Sequence, residues 1–237
     1  MITVGIDTSS VTGGVAVVKD NEVLASGFVK NGLTHSQTLL PLIDETFKKA
    51  GIKSADVDLY AVTKGPGSFT GLRIGMSTTM GMAAVNNTKC IGLSSLEAAA
   101  FGVFINEKYS NDSIICAVMD ARLKQVYNAL FKIENNALVR ICDDRAISIA
   151  ELNQELSSLN TDIILCGDGA MLCYESFDNK DSIILPDNDD IYISGEAVAK
   201  LGCLCFDNAV SYKQIQPEYL RLPQAQRELN LKMKNKK

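Results

Sequence analysis

The strongest constraint on the fold is a plan that the chain states twice. Residues 2–6 form a short apolar run ending in Asp7, and two strand-like runs, 14–18 and 23–29, meet at Asp20-Asn21, a dipeptide suited to a tight hairpin. Thr34-x-x-Gln37 has the form of a capping box and opens a helical stretch over 36–50; a strand over 59–63 then runs into Gly65-Pro66-Gly67. From residue 114 the plan returns. Residues 114–119 end in Asp120, runs over 126–133 and 138–141 turn about Asn135-Asn136, Ser148-x-x-Glu151 caps a helix, and 163–166 leads into Gly167-Asp168-Gly169. The second copy is the shorter, and a single doubly wound sheet would leave both hairpins unexplained.

A strand ending in Asp, a hairpin beside it, a helix and a strand ending in glycines resembles the duplicated ribonuclease H-like unit of actin-like and sugar-kinase-like proteins. The expected fold is therefore α/β, with two such lobes of the actin-like ATPase type. Ser94-x-x-Glu97 opens a further helix over 96–105 and Ser194 another over 195–206. The expected division is a first lobe over 1–107, a second over 108–221 whose last helix is free to pack back on the first, and a tail over 222–237.

At 237 residues, 46% of them hydrophobic, the chain is long enough to bury a core. No apolar run approaches the roughly 20 residues that span a bilayer, and the start lacks the layout of a signal peptide. A soluble, cytoplasmic protein is expected. Its seven cysteines are odd in number and set mostly in apolar runs, which suits reduced, buried thiols. The net charge is −5, yet residues 221–237 carry six basic side chains against the single acid Glu228, leaving −10 for the rest. An acidic body is repelled by phosphate backbones, so nucleic acid is expected only through a complex; the tail either adds salt-sensitive contacts there or is a solvated end.

The segment from Lys64 to Gly71 follows a strand and opens a helix over 71–85, so it can either offer N–H groups to an anion or simply make a tight turn. It is not a P-loop, since no Lys stands at the required spacing. Gly71, Gly75, Ser77, Thr78 and Gly81 all lower the helix propensity of the following segment, and a close-packing partner helix would compensate. His35 stands alone at a helix start, so a site of two or three imidazoles is ruled out. Cys203-x-Cys205 is badly spaced for chelation on a helix. Asp7 and Asp120 at strand ends suit either a water-mediated Mg²⁺ or the capping of turns.

Ile6-Asp7-Thr8-Ser9, His35-Ser36-Gln37, the run Lys64 to Gly75, Gly92 to Ala98, Asp120-Ala121-Arg122, Gly167 to Ala170 and Pro217 to Arg221 together resemble the bacterial TsaB (YeaZ) family, in order, over residues 2–221. The resemblance implies a part in placing threonylcarbamoyl on N6 of adenosine 37 in tRNAs that read codons beginning with A. It implies pairing with the catalytic paralogue TsaD, with TsaE and a threonylcarbamoyl-AMP synthase (TsaC or Sua5) completing the pathway, and a homodimer when the chain is alone. The implied pairing surface is the two helices over 36–50 and 71–85, with Leu39, Leu42, Ile43, Gly71, Arg73, Ile74, Gly75, Ser77, Thr78 and Gly81.

Catalytic relatives hold a metal through a His-x-Glu-x-His-like segment, and Ser95-Leu96-Glu97-Ala98-Ala99 stands in its place. The resemblance thus implies a noncatalytic subunit with no catalytic or metal residues and no resident cofactor. A nucleotide or anion, ATP or ADP, remains an open reading at Asp7, Gly65, Gly67, Ser68, Gly167 and Gly169. Two other classes compete: a small-molecule kinase on the same fold, which would need those groups, and a protease, which would need a metal or an activated nucleophile.

Overall fold

The computed structural model describes residues 1–106 and 109–221. The basic tail over 222–237 and the expected lobe boundary at 107/108 lie outside them.

The first unit opens with three antiparallel strands, β1 (Ile2–Asp7), β2 (Gly13–Lys19) and β3 (Glu22–Val29). Asp20 and Asn21 turn β2 into β3 with φ of 48° and 74°, the twist-matched geometry that Asp and Asn tolerate. Helix α1 (His35–Ala50) follows, then β4 (Leu59–Gly65), α2 (Phe69–Asn86), β5 (Lys89–Ser94) and α3 (Ser95–Ile105). β4 runs parallel to both β1 and β5.

The second unit repeats this order with β6 (Ile114–Asp120), β7 (Gln125–Glu134), β8 (Ala137–Arg140), β9 (Arg145–Ser148), α4 (Ile149–Ser157), β10 (Ile163–Cys166), α5 (Ala170–Ser176) and β11 (Ile183–Ile184). Asn135 and Asn136 again turn the hairpin with positive φ, at 50° and 58°. The chain ends in α6 (Gly195–Leu204) and β12 (Val210–Ser211). The sheets read β3-β2-β1-β4-β5-β12 and β8-β7-β6-β10-β11, with β9 also paired to β7. Hairpin, first strand and parallel strands thus occupy the same places in both sheets.

Three apolar clusters explain the layering. The outer face of the first sheet packs α1 and α2 through Leu39, Ile43, Phe47 and Met76 against Val4, Val15 and Val62. The outer face of the second packs α4 and α5 through Leu152, Leu156, Ala170 and Cys173 against Cys116, Val118 and Leu165. Between the sheets, α3 and α6 contribute Leu96, Ala100, Ala197 and Leu201 to one cluster that also holds Leu59 and Ala61 of the first sheet and Ile115 and Phe131 of the second. The two units therefore share a single central layer.

The helix starts show which sequence signals were structural. Ser148 and Glu151 form a full capping box at α4, and Ser194 caps α6 through Ala197 N–H at 3.1 Å. Ser94 caps α3 through Glu97 N–H at 3.2 Å, but the Glu97 carboxylate turns away to Arg140, so only half of that box forms. Thr34 departs from expectation: its hydroxyl lies 3.0 Å from Ser36 Oγ and donates to Gln37 Oε1 at 3.0 Å, and it caps no backbone N–H.

Candidate functional site: the α1–α2 groove and the cleft between the lobes

Helices α1 and α2 lie side by side and enclose an open groove of about 530 Å³, with Leu40, Phe69, Arg73, Ile74, Ser77 and Thr78 among its lining. Arg73, Ser77 and Gly81 are exposed, Ile74 and Thr78 half-buried, and Leu40 stands 60% exposed in the middle of α1. Two of the small residues expected on this surface face the other way. A Cβ on Gly71 would sit 2.1 Å from the Thr8 carbonyl oxygen, and one on Gly75 would sit 2.2 Å from Thr8 Oγ1. The close backbone approach that these glycines permit is therefore to the chain's own β1–β2 loop.

Leu39, Leu42 and Ile43 are likewise buried in the first lobe's outer core, because positions three and four apart on α1 point at the sheet. The exposed apolar residue on that helix is Leu40, which sequence reasoning passed over although it interrupts an otherwise polar face. His35 ties the groove's end to the loop, its Nε2 donating to the Ser10 carbonyl at 2.8 Å.

The glycine loop serves the chain's own backbone. Gly65 and Gly67 adopt φ of +127° and +154°, and a Cβ on either would stand 2.2 Å from Glu218 O or 2.3 Å from Ser9 O. Ser68 N–H donates to Ser9 O at 2.7 Å. In the second lobe Gly167 N–H is taken by Ile191 O at 2.6 Å and Gly169 N–H by Val118 O at 3.2 Å. The N–H groups of Ser68, Gly167 and Gly169 thus donate within the chain.

The strand-end acids sit in different surroundings. Asp7 is fully buried; its Oδ1 accepts from Ser9 N–H at 3.0 Å, Ser9 Oγ at 2.6 Å and Thr63 Oγ1 at 2.7 Å, and its Oδ2 has no partner. Burial pushes its carboxyl above the usual range against those hydrogen bonds. Asp120 caps a turn: Oδ1 accepts from Arg122 N–H at 2.7 Å and Oδ2 pairs with the Arg122 guanidinium at 3.0 Å. Asp168, which sequence reasoning treated only as part of a turn, accepts from Asp120 N–H at 3.2 Å, and burial pushes its carboxyl up to about 6.

Asp120 and Asp168 border a cleft of about 390 Å³ between the lobes, and the segment from Glu218 to Arg221 runs along it. Glu218 N–H donates to Lys64 O at 2.7 Å, and Arg221 donates to Ala121 O on the far side at 2.8 Å.

On α3, Ser95, Ala98 and Ala99 are buried in the central layer. The Glu97 carboxylate accepts from Arg140 at 3.0 Å; the same guanidinium reaches Asp144 at 2.7 Å, and Asp144 accepts from Ser94 Oγ at 2.6 Å. An arginine thus occupies the space beside the helix's only carboxylate. Among the described residues, no three His, Cys, Asp or Glu side chains gather as metal ligands, and no helix is long and apolar enough to cross a membrane. All seven cysteines are free, and burial pushes the Cys90 and Cys173 thiols up to about 12.

A family model described as TsaD, tRNA N6-adenosine threonylcarbamoyltransferase, matches residues 31–229. The chain is 26% identical over 219 residues to the tRNA threonylcarbamoyladenosine biosynthesis protein TsaB of Escherichia coli (strain K12), covering 91% of this chain and 93% of that protein. It is 31% identical over 170 residues to the protein of the same name from Buchnera aphidicola subsp. Schizaphis graminum (strain Sg), covering 71% and 79%. The solved structure of YeaZ from Pseudomonas aeruginosa superposes with a TM-score of 0.76 at 21% identity, covering 92% of this chain and 99% of that one.

Proposed function

The chain belongs to the TsaD-like family of tRNA N6-adenosine threonylcarbamoyltransferases, on its TsaB branch, and from that membership we propose that it is the noncatalytic partner of TsaD. It functions in tRNA threonylcarbamoyladenosine biosynthesis. The observation that carries the noncatalytic reading is the content of α3. Where the resemblance places metal-holding imidazoles, buried Ser95 and Ala99 occupy the positions, and Glu97 is committed to Arg140. A carboxylate already paired with a guanidinium is a poor cation ligand, because the metal would have to displace that charge first.

In this reading the pairing surface is the α1–α2 groove. Its contact residues are Leu40, Phe69, Arg73, Ile74, Ser77, Thr78 and Gly81, while Gly71, Gly75, Leu39, Leu42 and Ile43 support it from below. An apolar floor with one exposed leucine and an arginine at its rim suits a helix from a related lobe. In isolation the same surface closes a homodimer; in the cytoplasm it pairs with TsaD, while TsaE and the threonylcarbamoyl-AMP synthase (TsaC or Sua5) complete the pathway and tRNA is met through the complex. The test is association with TsaD from the same organism, followed by light scattering on a sizing column. We expect a heterodimer that Ser77→Arg, an exposed change in the groove, abolishes without unfolding the chain; undiminished association would overturn this placement.

A further inference from the structure

We propose that residues 218–221 form a latch that couples the outer face of α2 to the closure of the cleft between the lobes. The latch is built from contacts on three sides. At its start, Glu218 N–H donates to Lys64 O at 2.7 Å, its carboxylate pairs with Lys64 Nζ at 2.8 Å, and its carbonyl rests where a Cβ on Gly65 would be. In the middle, the Tyr219 ring lies 4.6 Å from that of Phe69, and its hydroxyl accepts from Arg73 Nε at 2.9 Å. At its end, Arg221 donates to Ala121 O at the edge of the second lobe.

Arg73 is the hinge of the argument. Its guanidinium stacks 3.9 Å from the Phe69 ring centroid and holds Tyr219, yet Phe69 and Arg73 also line the α1–α2 groove. One cation therefore lines the groove and holds Tyr219, which lines the cleft. An acidic side chain or a free carbonyl laid in the groove competes with Tyr219 for that guanidinium, because a charge-assisted bond to carboxylate is stronger than one to a neutral phenol. Only Leu220 separates Tyr219 from Arg221, and two residue steps reach at most about 7 Å. So short a segment has no slack, and losing Tyr219 pulls Arg221 away from Ala121. The occupant that releases the latch is thus a partner segment bearing an acceptor opposite Arg73; this point alone rests on the pairing role proposed above.

Amide hydrogen exchange on the full-length chain, with no partner added, tests the coupling. Arg73→Ala and Tyr219→Phe are compared with the parent, the second deleting only the hydroxyl that Arg73 holds. Both variants are expected to exchange at least about 10-fold faster at Glu218 and also at Ala121 to Gln125 across the cleft, with α1 and β6 unchanged. Faster exchange confined to α2 and Tyr219, or none at Glu218, overturns the latch. Should Arg73→Ala fail to fold, Tyr219→Phe decides the matter. Because no partner is present, failure here leaves the pairing role standing, and failure of pairing leaves the latch standing.

Discussion

Thr8 stands between two glycines of α2: its hydroxyl donates to the Gly71 carbonyl at 2.8 Å, and a Cβ on Gly75 would meet the same oxygen at 2.2 Å. This contact seats α2 on the residue that follows β1. Even Gly75→Ala forces Thr8 or the helix to move and is expected to cost about 1–3 kcal/mol, with Gly75→Leu costing more. Urea unfolding gives the value. A fully stable Gly75→Leu chain that merely binds TsaD less well would return the glycine to the outer surface.

Arg140 joins Glu97 of α3 to Asp144, which holds Ser94 at the end of β5. The three charged side chains are 18 to 37% exposed, so solvent weakens but does not erase their attraction. Arg140→Met leaves two acids facing each other and is expected to cost about 1–3 kcal/mol. Adding Glu97→Gln should recover part of it. Independent effects of the two changes in a double-mutant cycle would show that the network carries no coupling.

Asp168 gives the fold a pH dependence with a definite sign. Its carboxyl is raised from 3.8 to about 6, so between those values the native state holds a proton that the unfolded chain releases. Stability from this group is therefore lost as pH rises through that window, by up to about 3 kcal/mol at neutrality. Asp168→Asn keeps an acceptor for Asp120 N–H and removes the charge. It is expected to stabilise the chain at pH 7 and hardly at pH 4; equal effects at both pH values would contradict the assignment.

Deleting residues 222–237 removes five of the six basic side chains of the segment 221–237 while leaving Arg221 in place. TsaD binding is expected to persist. Affinity of the assembled complex for tRNA is expected to fall, with a shallower dependence on salt, because fewer phosphates are neutralised. Identical titrations at two salt concentrations would make the tail a solvated end.

Much of the fold was legible because its signals are local. Apolar strands ending in Asp, Asp-Asn and Asn-Asn hairpins, and Ser caps at α3, α4 and α6 each depend on a few neighbouring residues, and together they give the duplicated plan. The site was read less well. Helix α2 is small and apolar nearly all round, so no periodicity distinguishes Gly71 and Gly75, which face Thr8, from Gly81, which has no neighbour within 4 Å. The roles of Arg73 and Arg221 depend on Tyr219 and Ala121, 146 and 100 positions away in sequence, and local pattern carries no trace of such pairings. Thr34 had the right spacing for a cap but spends its hydroxyl on Gln37.

The central claim is that the chain is required for threonylcarbamoyl transfer without performing it. The direct measurement is nucleoside mass spectrometry of tRNA modified by TsaD, TsaE and the threonylcarbamoyl-AMP synthase of the same organism, with and without this chain. The account predicts threonylcarbamoyladenosine only when the chain is present, at undiminished yield after the chain alone has been treated with chelator and again with Glu97→Gln. Equal product without the chain would contradict the requirement, and product lost with chelator or with Glu97→Gln in a folded, TsaD-bound chain would contradict the noncatalytic role.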